Sequence, residues 1–317
     1  MGFKVLITPR SFEHIKDKFL ELLKDAEIEV VMNPYGRVIK EDEMVELIKD
    51  MDGIIVGIDP ITKRVIYNAS KLKVISKYGV GVDNIDLESA KERNIVVTNT
   101  PNANSNAVAE LTVGLIISVL RNIPLSDRRV REKKWDRFIG YELYGKTLGV
   151  IGTGSIGKRV IKLLKGFDLN ILCYDKFPDY EWAEKENLKY VNFDELLKRS
   201  DIITIHIPLT EETRHLISER ELSLMKKTAV IINTSRGGII NERDLYKFLK
   251  EGKIYGAGLD VLEDEPPQNS PLIELDNVVI TSHIGAHTQE SIENMAFMAI
   301  DNLISVLKGK EPKFRVC

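Results

Sequence analysis

Leu148-Gly149-Val150-Ile151-Gly152-Thr153-Gly154-Ser155-Ile156-Gly157 joins a short apolar run to glycines spaced Gly-x-Gly-x-x-Gly, and Lys158 to Leu164 behind it has helical spacing. Strand, glycine turn and helix in that order suit a dinucleotide pyrophosphate. Gly152 makes the tight turn, Gly154 lets backbone approach the phosphates, and Gly157 allows the helix to pack close to the strand. The uncapped N–H groups of the helix start then face the anion. Glycine spacing alone is weak, because such turns occur in loops with no ligand. The preceding strand supplies half of the support. Asp175, at the end of the run Asn170 to Tyr174, supplies the other half, since a carboxylate there accepts hydrogen bonds from adenosine ribose hydroxyls and repels a 2′-phosphate. NAD is therefore expected rather than NADP, with Lys176 and Arg159 the nearby cations that a 2′-phosphate would need.

Around this stretch, Val/Ile-rich runs alternate with segments of helical spacing, the pattern of parallel strands joined by crossover helices. Expected strands in the first third are Lys4 to Thr8, Glu29 to Met32, Gly53 to Val56, Val74 to Lys77 and Ile95 to Thr98, with helices such as Phe12 to Lys24 and Glu41 to Lys49 between them. A second series of six strands comprises Thr147 to Ile151, Asn170 to Tyr174, Ile202 to Ile207, Ala229 to Asn233, Gly256 to Asp260 and Val278 to Thr281. The fold class is α/β, as two doubly wound α/β lobes of which the first is the smaller. One long helix, Asn106 to Arg131, is expected between the series, and a last one over Gln289 to Lys308.

At 317 residues the chain suits two domains. A hydrophobic share of 43% and a charged share of 29% describe a globular protein with sizeable cores. The 45 basic and 48 acidic residues are interspersed, for a net charge of −3, so neither nucleic acid nor a membrane surface is an expected partner. Cys173 and Cys317 form neither a disulfide framework nor a metal-ligand cluster, so no metal is expected and a reducing cytoplasm fits. No uninterrupted apolar run approaches the roughly 20 residues that cross a bilayer, and the chain is expected to be soluble.

Chemistry is expected just past the strand ends, where open α/β sheets bind ligands. Ile231-Ile232-Asn233-Thr234-Ser235-Arg236 places a guanidinium there, able to grip a carboxylate and polarise a carbonyl through paired hydrogen bonds. Val279-Ile280-Thr281-Ser282-His283 places an imidazole at a strand end, and hydride transfer to a ketone needs such a proton donor for the developing alkoxide. Glu265, in Glu263-Asp264-Glu265-Pro266-Pro267, is the expected partner that would favour the protonated imidazole and fix its tautomer. Singly, each residue has a bland reading, as a surface ion-pair former, a solvated loop acid or a satisfied histidine. Beside the glycine turn, the three together point to hydride transfer on a 2-oxo or 2-hydroxy acid. His287 is the second-ranked proton donor, and His14 and His215 read as surface residues.

These motifs resemble the D-isomer-specific 2-hydroxyacid dehydrogenases, and among them most of all the D-3-phosphoglycerate dehydrogenases. The likeness is carried by Tyr78-Gly79-Val80-Gly81-Val82-Asp83-Asn84, Asn99-Thr100-Pro101-Asn102, Gly152 to Gly157, His206-Ile207-Pro208-Leu209-Thr210, Asn233 to Gly237, Leu259 to Pro267 and Ser282 to Ala286. The resemblance implies that Arg236 binds and orients the 2-oxo acid, that His283 is the acid/base and that Glu265 pairs with it. It also implies that backbone N–H groups near Val80 and Gly81 hold the substrate carboxylate. Cofactor contacts are implied for Ser155, Ile156, Asp175, His206, Ile207, Pro208, Thr213, Thr234, Ser235, Asp260 and Gly285, with Arg236 and His283 beside the nicotinamide. The implied architecture is a Rossmann NAD-binding domain, residues 102–287, inserted in a smaller flavodoxin-like substrate domain, residues 1–101 and 288–317. The helix near Asn106 to Arg121 resembles the family's dimer contact, which implies a homodimer.

Two departures bear on substrate. Phosphoglycerate-specific members place arginines in the first lobe to hold the phosphate, and the matching positions here are Gly57 and Lys77. Lys77 still offers a point charge to a phosphate, whereas Gly57 offers nothing. With the sequence ending at Cys317, the extra regulatory domain of many phosphoglycerate dehydrogenases is expected to be absent. The expected substrate is a small 2-hydroxy or 2-oxo acid, 3-phosphoglycerate or else glyoxylate or hydroxypyruvate. The competing reading from another class is an NAD-sensing, corepressor-like binding protein, against which Arg236, Glu265 and His283 argue. A formate-type dehydrogenase is disfavoured, because that chemistry needs no proton donor and those relatives carry glutamine where Glu265 stands.

Overall fold

Two parallel sheets organise the chain, each assembled from one of the two series of apolar runs. The computed structural model describes residues 2–317. It separates into one unit ending at Asn104 that is completed by His287–Cys317, and a second spanning Ser105–Ala286.

In the first unit, β1 (Phe3–Ile7), β2 (Ile28–Met32), β3 (Gly53–Val56), β4 (Val74–Lys77) and β5 (Val96–Thr98) pair in the order β2-β1-β3-β4-β5. All of these pairings are parallel, and the order is that of a flavodoxin-like sheet. Buried runs such as Gly53–Val56 are apolar on both faces because helices cover both. The connecting helices are α1 (Lys16–Asp25), α2 (Glu41–Ile48), α3 (Lys63–Asn68) and α4 (Leu87–Glu92). Met44, Ile48, Val65 and Ile66 from two of them close over Leu6, Ile54, Val56 and Ile75. Phe12 falls outside α1, in a separate 3-10 turn, Arg10–His14, because the chain bends at Ile15 before the helix begins.

The second unit begins with α5 (Ser105–Leu120) and α6 (Ile123–Arg131). The single helix expected over Asn106 to Arg131 is thus broken. Asn122 takes a left-handed φ of 52°, which asparagine tolerates, and Pro124 restarts the helix in its first turn. The Asn122 amide holds the break by donating to the Tyr255 hydroxyl (2.9 Å). The sheet that follows contains β6 (Thr147–Ile151), β7 (Asn170–Tyr174), β8 (Lys189–Tyr190), β9 (Ile202–Ile205), β10 (Val230–Asn233), β11 (Gly256–Leu259) and β12 (Val278–Ile280). Its order, β12-β11-β10-β9-β6-β7-β8, is the doubly wound arrangement of nucleotide-binding sheets.

Seven strands form where six were expected. The additional β8 has two residues, too few for a pattern of its own, and is defined by parallel pairing to Leu172 and Cys173 of β7. Three runs also stop short: β9 at Ile205, β11 at Leu259 and β12 at Ile280. There Asp260 and Thr281 have turned to each other, and Ile207 lies beyond the paired ladder. The helices are α7 (Ser155–Leu164), α8 (Tyr180–Lys185), α9 (Phe193–Arg199), α10 (Glu219–Leu224) and α11 (Glu242–Lys250). Finally α12 (Gln289–Leu307) belongs to the first unit, where Ser76 donates its hydroxyl to Ala299 O (2.8 Å). No single helix among the described residues is long and apolar enough to cross a membrane, and α5 and α6 reach that length only as a pair bent by 64°.

Candidate active site

The glycine turn after β6 has the shape its spacing implies. Gly152 sits at φ +93°, and a Cβ there would lie 2.5 Å from His206 O and 2.8 Å from Ile207 Cγ2. A side chain at Gly157 would lie 2.1 Å from Gly152 O, so only glycine lets α7 start this close to the turn. Gly154 is different: nothing lies within 4 Å of where its Cβ would be, so the turn has an open side there. Gly154 caps α7 with no side-chain hydrogen bond, which leaves the first-turn N–H groups of Ser155, Ile156 and Gly157 turned toward that opening. Ser155 is steadied by the Ser105 hydroxyl (3.1 Å). This open, donor-lined cradle fits a pyrophosphate.

Asp175 stands at the end of β7 and is tied to the turn. Its carboxylate accepts the Thr153 N–H (2.7 Å), the Thr153 hydroxyl (3.1 Å) and the Phe177 N–H (2.9 Å), leaving lone pairs for ribose hydroxyls. Lys176 is ion-paired with Glu212, so its charge is already countered. On the other side of the turn, burial pushes the His206 imidazole down to about 3, and it is neutral at any working pH. Its Nε2 meets the Thr204 hydroxyl (2.9 Å), while its buried Nδ1 has no partner among the described residues. Pro208 O accepts from the Thr213 hydroxyl (2.7 Å), which also accepts the Thr210 N–H (2.7 Å) and so shapes the loop after His206.

Three loops at the neighbouring strand ends carry the other candidates. After β10, Asn233 Oδ1 accepts the Ser235 N–H (3.0 Å) and hydroxyl (2.7 Å), and Asn233 Nδ2 donates to Arg236 O (2.8 Å). This side-chain turn orients Arg236, whose Nη1 donates to Ser235 O (2.7 Å), while buried Thr234 is held by Thr112 (2.8 Å). Gly237 packs so tightly on the segment after β11 that an added Cβ would lie 1.9 Å from Leu262 O. The Arg236 loop and the loop leading to Glu265 are thereby one packed unit.

Asp260, only 2% exposed, organises the third loop. Its carboxylate accepts from the Thr281 hydroxyl (2.6 Å) and from the Ile284 and Gly285 N–H groups (both 2.8 Å), and its carbonyl accepts the His283 N–H (2.9 Å). These bonds hold His283 at φ +54°, a left-handed conformation costing on the order of 1 kcal/mol for a residue with a Cβ. His283 Nδ1 meets Glu265 Oε2 at 2.7 Å, and Leu262 N–H donates to the other carboxylate oxygen (3.2 Å). Burial raises the Glu265 carboxyl. The hydrogen bond and charge of His283, the Leu262 N–H and the Arg236 charge outweigh that, and hold it below its ordinary value.

Of the residues read from sequence, the structure thus brings Arg236, Glu265 and His283 onto adjoining loops, and Asp260 and Gly285 onto the His283 loop. Asn233, Thr281 and Thr153, not singled out by sequence, do the local fixing. Only Asn233 carries a readable signal, an asparagine two residues before a serine at a strand end.

In the first unit, Val80 and Gly81 follow β4. Thr100 clamps Gly79 from both sides (3.1 and 3.0 Å), and the Asn99 amide takes Val80 O (2.9 Å). The N–H groups of Val80 and Gly81 find no acceptor among the described residues, and Val80 is 39% exposed. Two successive open N–H groups suit a carboxylate. Lys77 is 6% exposed, with Nζ donating to Gly57 O and Asn84 Oδ1 (both 2.6 Å).

Two parallel α/β sheets, a glycine turn fit for a pyrophosphate and an imidazole–carboxylate pair beside an arginine are the layout of a nicotinamide-dependent dehydrogenase. The sequence profile described as D-isomer specific 2-hydroxyacid dehydrogenase, NAD binding domain, matches residues 113–285, and the chain belongs to that family. It is 45% identical over 312 residues to D-3-phosphoglycerate dehydrogenase of Methanocaldococcus jannaschii, a match covering 97% of this chain and 58% of that one. The chain therefore spans under two thirds of that relative's length. It is 44% identical over 279 residues to glyoxylate reductase of Thermococcus litoralis, covering 85% and 84% of the two. A crystal structure of D-lactate dehydrogenase from Aquifex aeolicus, complexed with NAD and lactic acid, superposes with a TM-score of 0.85 at 33% identity over 96% of each chain.

Proposed function

We propose that this chain is an NAD-dependent dehydrogenase moving a hydride between the cofactor and C2 of a small 2-hydroxy or 2-oxo acid. The observation that carries the reading is the 2.7 Å His283–Glu265 contact on a loop adjoining that of Arg236. Bound NADH would supply the hydride. His283 then donates the proton that the carbonyl oxygen gains on reduction and takes it back on oxidation, Glu265 holding the ring in place. Arg236 grips the acid by paired N–H groups and polarises its carbonyl. In the first unit, the open N–H groups of Val80 and Gly81 receive a carboxylate. The cofactor is assigned to Gly152, Gly154, Ser155, Ile156 and Gly157 at the pyrophosphate, to Asp175 at the ribose, and to the loops of His206 to Pro208, Thr213, Thr234, Ser235, Asp260 and Gly285.

The test is NADH oxidation with glyoxylate, hydroxypyruvate, pyruvate and 3-phosphohydroxypyruvate. Turnover of at least one, with NADPH at least about tenfold poorer given the repulsion Asp175 offers a 2′-phosphate, is the expected outcome. Tight NADH binding with no turnover of any acid would instead favour an NAD-sensing binding protein.

The proposal includes a homodimer in a reducing cytoplasm. Supporting the dimer, Ile139 is 93% and Trp135 78% exposed, on a segment without regular structure just past α6. Nearby, α5 and α6 line an apolar groove of about 650 Å³ against the β12 segment. Both cysteines are free thiols. Light scattering should give twice the chain mass for the wild type, and a Trp135→Glu/Ile139→Glu protein should fall toward one chain mass. A wild type that stays monomeric at micromolar concentration sinks the dimer.

A further inference from the structure

At the ends of β1, β3 and β4, one buried network ties three segments of the first unit together. Thr8, just after β1, donates its hydroxyl to Asp59 and accepts the Gly57 N–H (3.2 Å). Asp59, 3% exposed, takes the Ile39 N–H on its other oxygen (2.8 Å). Asn84 donates to Gly57 O (3.1 Å) and Asp59 O (2.6 Å). Lys77, the last residue of β4, completes the strap through Gly57 O and Asn84 Oδ1 (both 2.6 Å). One ammonium therefore holds the segment after β3 against Asn84, and with it the loop that carries Val80 and Gly81.

We propose that Lys77 is a positioning residue for the carboxylate-binding loop, its charge committed inside the protein, and that the substrate is an unphosphorylated 2-oxo acid. The inference rests on the dehydrogenase reading above and names the substrate class of that same site. Lysine's ammonium is a compact, strongly hydrated donor, and one that already meets two half-buried oxygens within the protein loses both on turning to a ligand phosphate. Gly57 enters this network only through its backbone, its carbonyl taking Lys77 and its N–H meeting Thr8. Asn84 matters in the same way: its amide oxygen accepts from Lys77 while its NH₂ group binds two carbonyls, a combination no carboxylate reproduces.

The experiment compares wild type, Lys77→Met and Asn84→Asp, with NADH binding followed by fluorescence to confirm an intact cofactor site. Wild type should prefer glyoxylate or hydroxypyruvate to 3-phosphohydroxypyruvate by at least about tenfold in kcat/KM, the discrimination of one well-placed polar contact. Both variants should raise KM for all acids together by about tenfold or more with a smaller change in kcat, so that the ratio between phosphorylated and unphosphorylated acids holds. The Kd of oxamate, an unreactive 2-oxo acid isostere, should weaken in parallel, and calorimetry reads that without turnover. A wild type preferring the phosphorylated acid, a Lys77→Met loss confined to that acid, or unchanged KM and oxamate Kd in both variants overturns the proposal. Absence of turnover with every acid overturns the dehydrogenase reading instead, and the oxamate arm still reports on Lys77.

Discussion

Replacing His283 with alanine is expected to slow reduction of a 2-oxo acid by roughly 100- to 10,000-fold in kcat, the usual worth of a positioned general acid. NADH affinity should stay within a few-fold of wild type, because the glycine turn and Asp175 lie on other loops. Stopped-flow single turnovers separate the two quantities. A His283→Ala protein that keeps more than a tenth of wild-type kcat would remove the proposed role.

Glu265 sharpens the same expectation through pH. Its carboxyl is raised by burial, yet held below its ordinary value overall by the His283 hydrogen bond and charge, the Leu262 N–H and Arg236. A carboxylate depressed in the folded state contributes stability above its unfolded pKa of about 4.3, and that contribution is lost as pH falls through the lower folded value. Glu265 is therefore ionised wherever the enzyme is assayed near neutrality. The wild-type pH–rate profile should show no acid limb from Glu265 near neutrality. Glu265→Gln removes the anion beside His283 and should lower kcat by about tenfold or more. An unchanged kcat would uncouple Glu265 from catalysis.

Arg236→Gln is the second large effect. Two charge-assisted hydrogen bonds to a substrate carboxylate and carbonyl, at about 1.5 to 3 kcal/mol each, translate into a loss of roughly 100- to 10,000-fold in kcat/KM. Arg236→Lys keeps the charge but not the planar fork, and should recover only part of it. The turn that aims Arg236 is built from Asn233 and Ser235, so the fold should survive either change, checked by an unchanged melting temperature. If Arg236→Gln turned over within fivefold of wild type, the guanidinium would have no part in the reaction.

Much of the fold was readable because its signals are local. Strand runs of four or five apolar residues, a glycine turn and a helix start depend on neighbours in the chain, and Gly53–Val56 and Val74–Lys77 come out at the bounds their composition implies. The same locality explains the misreadings. Asn106 to Arg131 has the composition of one helix, yet Asn122 turns left-handed where its amide finds Tyr255, a residue far along the chain. Lys189–Tyr190 becomes a strand only because the edge of β7 accepts it.

By itself, the sequence determined the α/β class, the dinucleotide turn and which residues stand at strand ends, since periodicity and turn chemistry are written in adjacent residues. Only the tertiary structure decided what those residues meet: Glu265 for His283, three loop donors for the Asp260 carboxylate, and two internal oxygens for Lys77. The reason is that a buried polar group takes whichever partner folding brings to it, and those partners lie 7 to 25 positions away in the chain, beyond the reach of any local pattern.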